Sequence, residues 1–515
     1  MRGFLFVSAR PGCALKDYPD RHPACMEVIV VLHATCLILL SAYAFHQAVL
    51  LLLYRGARQS RPRGTAQAPS PDRLPTVTIQ IPLFNERYFA ERVIAAAAAQ
   101  AYPRDSLHIQ VLDDSTDDTA EIARRAVARA RGCGVCIEWI HRSTRTGYKA
   151  GALAAGLARA RGELIAIFDA DFLPAPDFLR RLICERRVFD DPRVGFVQTR
   201  WDYLNRDASA LTRAQAMTLD VHFIVEQTVR SHCGLLMNFN GSGGIWRRAC
   251  IEDAGGWQDD TLTEDLDLSY RAGLRGWRGV YLADEAVPGE LPDDVLAYKR
   301  QQARWARGTL QTVCKLMPEI AAASLPFHHK LAAWMHLTGY FIHPLILTMS
   351  VTTPLLILDS LAAGGQLTGL PVWVNAISGL TLAPIASMLA AHAARGRPIL
   401  HFLRDLPASL MLGIGVSFSN TVAMLRALVE REVGEFVRTP KLHRDALGIT
   451  PVAYLLRPDW TMWIELGLAL YVAGIAIAML RLGHWLSVAP MLIYVLGFGG
   501  VWLSQALNIL RRTAS

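Results

Sequence analysis

The chain is 515 residues long, 52% hydrophobic and 19% charged, with a formal net charge of +8. That length is more than one hydrophobic core fills, and the mixture of apolar and charged residues is that of a soluble unit joined to membrane spans. The positive charge does not point to nucleic acid, because no basic patch with interleaved aromatics accompanies it. Taken in order, residues 1 to 25 are mixed and polar, without the apolar centre of a signal peptide. Val28 to Leu53 is then mostly apolar, long enough to cross a bilayer and too long for a cleaved signal. Arg55, Arg58, Arg61 and Arg63 follow at once and place its carboxyl end in the cytoplasm, so residues 1–54 read as an anchor with an external amino terminus and 55–74 as a linker.

From Pro75 the pattern changes to short apolar strands alternating with Ala-rich helical stretches. The strands are expected at Val77 to Ile81, Leu107 to Leu112, Val135 to Ile140, Leu164 to Phe168 and Val194 to Gln198. Helices are expected at Arg87 to Gln100, Ala120 to Arg131 and Lys149 to Arg161. This alternation implies an α/β domain built on a mostly parallel, doubly wound sheet. Residues 199 to 310 are less regular, with a Gly-rich turn at Asn240 to Gly244 and a helix from Glu264 to Leu274, and read as the acceptor half of a site. After Lys330 the chain is apolar again, with spans expected at Lys330 to Leu358, Leu370 to Ala391, Thr461 to Leu480 and Leu486 to Leu510. Leu406 to Val429 is interrupted by Gly413, Gly415, Ser417, Ser419 and Asn420. If the basic stretches around Arg395 to Arg404, Arg438 to Arg444 and Arg511 to Arg512 are all cytoplasmic, this segment returns to the side it came from, leaving five crossings.

Nine cysteines without a framework spacing suit a reducing compartment. The lone Cys133-x-x-Cys136 lacks the second ligand pair that zinc needs, and the adjacent His328 and His329 read as interface residues. The chemistry gathers instead around Leu164 to Leu173, where a buried strand delivers Asp169 and Asp171 to its carboxyl end, the place where open α/β sheets bind ligands. Two carboxylates flanking one small residue suit Mg²⁺, which is held by one or two carboxylates plus substrate phosphates. Read alone, Asp-x-Asp is an ordinary acidic turn, so its companions decide. Asp113 and Asp114 end another strand, where they either serve a nucleotide's base or ribose or belong to a helix-capping segment. Lys149 opens a helix behind Gly147, where backbone N–H groups already favour a phosphate. Thr261 and Glu264 have capping-box spacing, yet Asp265 beside them is placed to act as a base. Gln301, Arg304 and Trp305 precede the second apolar block and, alone, read as an interfacial helix.

In this order, over Pro75 to Leu316, these signals resemble the family 2 glycosyltransferases. With apolar segments on both sides they are most like the membrane-embedded processive members, the cellulose, mannan and hyaluronan synthases. The strings Gln80 to Glu86 (QIPLFNE), Gln110 to Asp117 (QVLDDSTD) and Gly147 to Leu153 (GYKAGAL) are similar to the cellulose-synthase-like glucomannan mannosyltransferases and their glucan synthase relatives. The resemblance implies a cytosolic GT-A domain over 75–316, with interfacial and transmembrane helices over 317–515. It implies that Asp113, Asp114, Lys149, Asp169, Gln301 and Arg304 bind a nucleotide-sugar, GDP-mannose or UDP-glucose, and that Asp169 and Asp171 hold Mg²⁺ or Mn²⁺. Asp265, with Glu264 beside it, would be catalytic, Asp265 as the general base. Trp305, Gly241, Ser242 and Trp201 would bind the growing polysaccharide, and residues 435–441 would form a gating loop over the donor. Transfer of a single sugar to a lipid shares nearly all these motifs. A nucleotide-binding transporter or receptor is the alternative from another class, though it would be expected to show paired repeats and charges at mid-membrane.

Overall fold

The computed structural model describes residues 23–58, 74–362, 382–430, 434 and 459–513. A long helix, α1 (Pro23–Ala57), precedes the soluble domain. The first half of that domain runs β1 (Val77–Leu83), α2 (Ala90–Ala98), β2 (Leu107–Asp113), α3 (Thr119–Gly132), β3 (Ile137–His141), α4 (Tyr148–Leu157) and β4 (Leu164–Ile167). The second half runs β5 (Val194–Tyr203), α5 (Ala210–Asp220), α6 (Gln227–His232), β6 (Gly244–Arg247), α7 (Arg248–Asp253), α8 (Glu264–Leu274) and β7 (Arg278–Gly289). The sheet order is β3-β2-β1-β4-β6-β5-β7. All neighbours are parallel except β6, which runs antiparallel between β4 and β5. The doubly wound expectation therefore holds with one reversed strand. Because the chain builds outward from β1 to β3 and then returns to lay β4 on the other side of β1, the order reverses beside β1, and ligands bind at such points.

Alternate residues of each strand serve the two faces. Leu164 and Ala166 pack with α2 and α3 in one core, while Ile165 and Ile167 pack with α4, α7 and α8 in the other. Ile79, Ile81, Ile109 and Val111 are fully buried, each contributing about 1.5–3 kcal/mol by leaving water. Register is pinned by a buried polar ladder. Gln80 Nε2 donates to Gln110 Oε1 at 3.0 Å and Gln110 Nε2 to Glu138 Oε1 at 2.9 Å, joining residues directly opposite across three strands. A one-residue slip would leave these amides unpaired in the core and turn every side chain to the wrong face.

The chain then continues into α9 (Val295–Ala322), α10 (Phe327–Leu337), α11 (Ile342–Ala362), α12 (Ala383–Ala394), α13 (Ile399–Gly415), α14 (Ser417–Val429), α15 (Thr461–Arg481) and α16 (Trp485–Thr513). Among the described residues five helical stretches are long and apolar enough to cross a membrane: Met26–Ala57, Gly339–Ser360, Ile399–Val429, Thr461–Arg481 and Val488–Leu510. The third is broken at Val416. Both its halves lie against the soluble domain, Leu412 and Val416 packing with Ala214 and Tyr298, and Met424 with Ala306 and Leu310. The α12 helix carries the end of the expected Leu370 to Ala391 span; residues 370–381 of that span, and the expected gating loop at 435–441, lie outside the described residues.

Candidate active site

Strand β4 ends at Ile167, and the chain turns so that Asp169 N donates to Ser242 Oγ at 2.9 Å. Lys149 opens α4 behind Gly147, whose φ of +70° needs a residue without a side chain. The Lys149 ammonium reaches across to Asp169 Oδ1 at 2.7 Å, donates to Gly241 O at 3.0 Å and lies 3.7 Å from Glu264 Oε1. Burial works against its charge, but Asp169, Glu264 and Asp265 outweigh it and raise the lysine pKa above its ordinary value. Gly241 itself sits at φ +80°, and a Cβ there would stand 2.8 Å from Asp265 Oδ2 and 3.2 Å from Lys149 Nζ. The turn thus passes between base candidate and lysine where only a glycine fits.

Helix α8 begins at Glu264, and no side chain caps it. The capping-box expectation for Thr261 fails, because Thr263 occupies the N-cap position and its hydroxyl faces Thr312 Oγ1 at 3.2 Å. Asp265 itself answers one open N–H of this turn, its Oδ1 accepting from Leu266 N at 2.8 Å, while its Oδ2 lies toward the Gly241 turn. Burial, with the neighbouring Glu264 charge, pushes the Asp265 carboxyl up to about 7, while Lys149 pulls it the other way. Helix α9 meets this turn closely. A Cβ on Gly308 would lie 2.7 Å from Thr263 Cγ2, and Gln311 Oε1 accepts from Leu262 N at 3.0 Å. Gln301, Arg304 and Trp305, at positions i, i+3 and i+4, share one face of that helix. Arg304 is half-buried in the field of Glu264, Asp169 and Asp265; desolvation lowers its pKa and those charges oppose the fall.

Asp113 and Asp114 diverge. Asp113 is fully buried and accepts from Ser115 N at 2.9 Å, Trp139 Nε1 at 3.0 Å and His141 Nδ1 at 3.2 Å, so both its oxygens are engaged inside the domain. Asp114 forms a two-pronged pair with Arg142 at 2.7 and 2.5 Å, and Arg142 in turn donates to Thr146 O and Tyr148 O, both at 3.0 Å. It therefore holds the turn that presents Lys149. Asp171 is buried, with its Oδ2 accepting from Glu290 N at 3.3 Å. On the acceptor side, Trp201 Nε1 and Gln198 Nε2 both donate to Ser242 O, at 3.0 and 3.1 Å, and Gln198 Oε1 accepts from Asn240 N at 2.8 Å. Gln198 and Trp201 thus lie beneath the acceptor turn, as the resemblance implies, whereas Arg142, Trp139 and His141 carry no motif, and only the cross-strand register makes them neighbours of Asp113 and Asp114.

A second group lies beneath the acceptor turn. His222 Nδ1 donates to Glu226 Oε2 at 3.0 Å, His336 Nε2 lies 3.8 Å from Glu226 Oε1, and His222 Nε2 accepts from Asn240 Nδ2 at 3.0 Å. These ligand-type atoms lie within 4.8 Å of one another. Arg230, fully buried 3.7 Å from Glu226, already supplies the positive charge there, and burial with that arginine holds His336 neutral. The group pairs the Glu226 carboxylate with Arg230 and supports Asn240 through His222.

Three carboxylates, Asp169 after β4 and Glu264 and Asp265 at the start of α8, surround Lys149 and lie in the field of Arg304, with Asp171 two residues beyond Asp169, and hard oxygen donors of this kind are what Mg²⁺ and Mn²⁺ take. A mostly parallel sheet whose carboxyl ends gather acids, a buried lysine and a helix-borne arginine defines a GT-A-type glycosyltransferase. Residues 75–308 match the family described as Glycosyltransferase like family 2. A rice (Oryza sativa subsp. japonica) protein named probable glucomannan 4-beta-mannosyltransferase 3 is 37% identical over 406 residues, covering 76% of this chain and 69% of its own. The glucomannan 4-beta-mannosyltransferase 2 of Arabidopsis thaliana is 47% identical over 250 residues, 48% of this chain and 46% of that one. In fold, the chain is similar to a mannosyltransferase of Pyrobaculum calidifontis solved with GDP-mannose and Mn²⁺, with a TM-score of 0.53, 24% identity, and 78% of this chain and 100% of that chain covered. The chain belongs to the family 2 glycosyltransferases, among the cellulose-synthase-like glucomannan mannosyltransferases. It is an enzyme, and the transporter or receptor alternative falls with that membership.

Proposed function

We propose that this chain polymerises a β-linked, 1,4-connected mannan from GDP-mannose, working on the cytoplasmic side of a membrane and passing the product across. The single observation that carries the chemistry is the convergence of Asp265, Lys149, Asp169 and the bare Gly241 turn, with Arg304 in the same field. Its relatives' names and the Pyrobaculum complex favour mannose over glucose as the sugar.

Asp265 takes the proton from an acceptor hydroxyl as that oxygen attacks the anomeric carbon, and a single displacement inverts the α-linked donor to a β-glycoside. Lys149 and Arg304 stabilise the negative charge that builds on the departing nucleoside diphosphate, the kind of contribution that usually dominates such catalysis. Asp169 and Asp171 would hold a divalent cation, Mn²⁺ or Mg²⁺, that adds Lewis-acid stabilisation of the same leaving group when bound. Asp114 acts through Arg142 on the lysine turn, and Asp113 fixes Trp139 and His141 at the nucleotide's end of the cleft. The apolar face of Trp305 packs the terminal sugar ring, while Ser242 and Trp201 shape the acceptor turn. The 399–429 stretch lies along the membrane surface in this reading, which is supported by its packing on α5 and α9. A reporter fused after Glu432 is expected inside the cell.

The test is to incubate membranes holding the protein with labelled GDP-mannose and, separately, UDP-glucose. A polymer that resists lipid extraction and yields to a β-1,4-mannanase is expected from the first alone. A single labelled lipid would assign the enzyme to one-sugar transfer instead. Excess chelator is expected to abolish incorporation and added Mn²⁺ or Mg²⁺ to restore it; full activity in chelator would remove the cation from Asp169 and Asp171.

A further inference from the structure

Helix α9 carries the acceptor-side residues on one face and, on the other, a lysine that the active site does not use. Lys299 is 2% exposed, and its ammonium is fully occupied: 2.7 Å from Glu465 Oε1, donating to Thr461 Oγ1 at 2.6 Å and to Gln505 Oε1 at 3.3 Å. Gln505 Nε2 closes the network on Glu465 Oε2 at 2.8 Å, and both Glu465 and Gln505 are fully buried. One turn earlier, Asp294 caps α9 through Leu296 N and Ala297 N at 2.8 and 3.0 Å, and its second oxygen accepts from Asn508 Nδ2. The hydrogen-bond partners outside α9 belong to α15 and α16, the last two apolar helices, and a second acid, Asp459 just before α15, lies 3.9 Å from the ammonium.

A buried ion pair is a poor way to gain stability, since apolar residues of similar volume usually do as well; its best-attested use is to fix register. Register is what matters at this position. With about 100° of rotation per residue, Lys299 toward α15 and α16 turns Gln301, Arg304 and Trp305 to within about 60° of the opposite side. Gly308, which meets Thr263, lies on that opposite side as well. The helix is therefore held from behind by a charge pair and in front by a close backbone contact, and its rotation is fixed by both.

We propose that Lys299 and Glu465 are positioning residues: the pair by which the two C-terminal apolar helices set the rotation of α9 and hence the aim of Arg304 and Trp305. This rests on the polymerase reading above, because the aim matters most for an acceptor that must be re-registered after each transfer. The test uses the full chain in phosphatidylcholine nanodiscs with labelled GDP-mannose as the probe. The variants are the apolar double Lys299→Met/Glu465→Leu and the exchanged double Lys299→Glu/Glu465→Lys. The apolar double is expected to keep its melting temperature and to hold the donor KM within about twofold, while kcat falls at least about tenfold and the product shortens. The exchanged double is expected to recover most of kcat and chain length. Wild-type kcat and product length in the apolar double overturn the proposal, as does loss of folding in both doubles, which would make the pair a strut. If the wild type releases GDP but makes no polymer, the polymerase reading fails, and kcat read on GDP release still decides the positioning claim.

Discussion

The two walls of the cleft are built differently. The donor wall, from Asp113 to Asp171, consists of strand ends and short turns whose neighbours are set by one parallel sheet, and its groups are tied to each other: Asp114 to Arg142, Arg142 to the lysine turn, Lys149 to Asp169. The acceptor wall, Asn240 to Gly243 with α8 and α9, joins that sheet through its turn, where Gly243 N donates to Ile167 O and Gly243 O accepts from Thr199 N, and its helices stand outside it. Its turn hangs from Gln198 and Trp201, and α9 is held by Thr263 in front and Glu465 behind. A wall made of sheet ends is stiff and local, whereas a wall made of a helix clamped between domain and apolar bundle takes its shape from residues more than a hundred positions away. Binding of a nucleotide-sugar belongs with the first, and adjustment to a moving polymer with the second.

Substitutions in each wall should therefore fail differently. The largest loss is expected where the walls meet. Asp265→Asn should leave donor binding near wild type and lower transfer by about 10²–10⁴-fold; calorimetric binding of GDP-mannose beside initial rates checks it, and wild-type-like turnover would remove Asp265 as the base. Next is Gly308→Val, which forces side chain into Thr263 and should cost about 1–3 kcal/mol of stability. Its kinetic mark should be on kcat and product length, with donor KM nearly unchanged. The reverse pattern is expected from Arg142→Ala, which frees the lysine turn: donor KM should rise about tenfold, equivalent to about 1.4 kcal/mol, with little change in product length. If Arg142→Ala shortened the polymer instead, the division between the walls would not hold. The smallest effect concerns pH. A base raised to about 7 is inactive when protonated, so the rate should fall as pH drops through that value. Glu264→Gln removes a neighbouring negative charge, which should move this limb of the pH profile to lower pH by less than about one unit.

The same contrast explains what could be read from the chain alone. The four strands and three helices of the first half, and the start of β5 in the second, match the expected ranges to within a few residues, because short apolar runs between turn residues carry their own signal. Asp169, Lys149 and Asp265 came together as expected because each sits at the start or end of such an element. Strand β6 was missed, being four residues of Gly-Ile-Trp-Arg with no alternation to show, and β7 was missed because Asp284 and Glu285 in its middle, where the pairing with β5 shifts register, read as loop. The expected Thr261 cap fails because α8 starts at Glu264, which makes Thr263 the N-cap, and the Thr263 hydroxyl meets Thr312 of α9, a contact across 49 positions. Lys299 and Glu465 carry no motif, and only the packing of α9 on α15 reveals that they are partners.

The contact between Asn508 and the cap of α9 bears on how the molecule matures. A ribosome would release the sheet, with its nucleotide cradle complete, long before the last helix exists to hold α9 in place. Newly made chains should pass through a stage in which they bind donor yet do not elongate, so that synthesis of sugar chains begins only once the final helices have packed against α9.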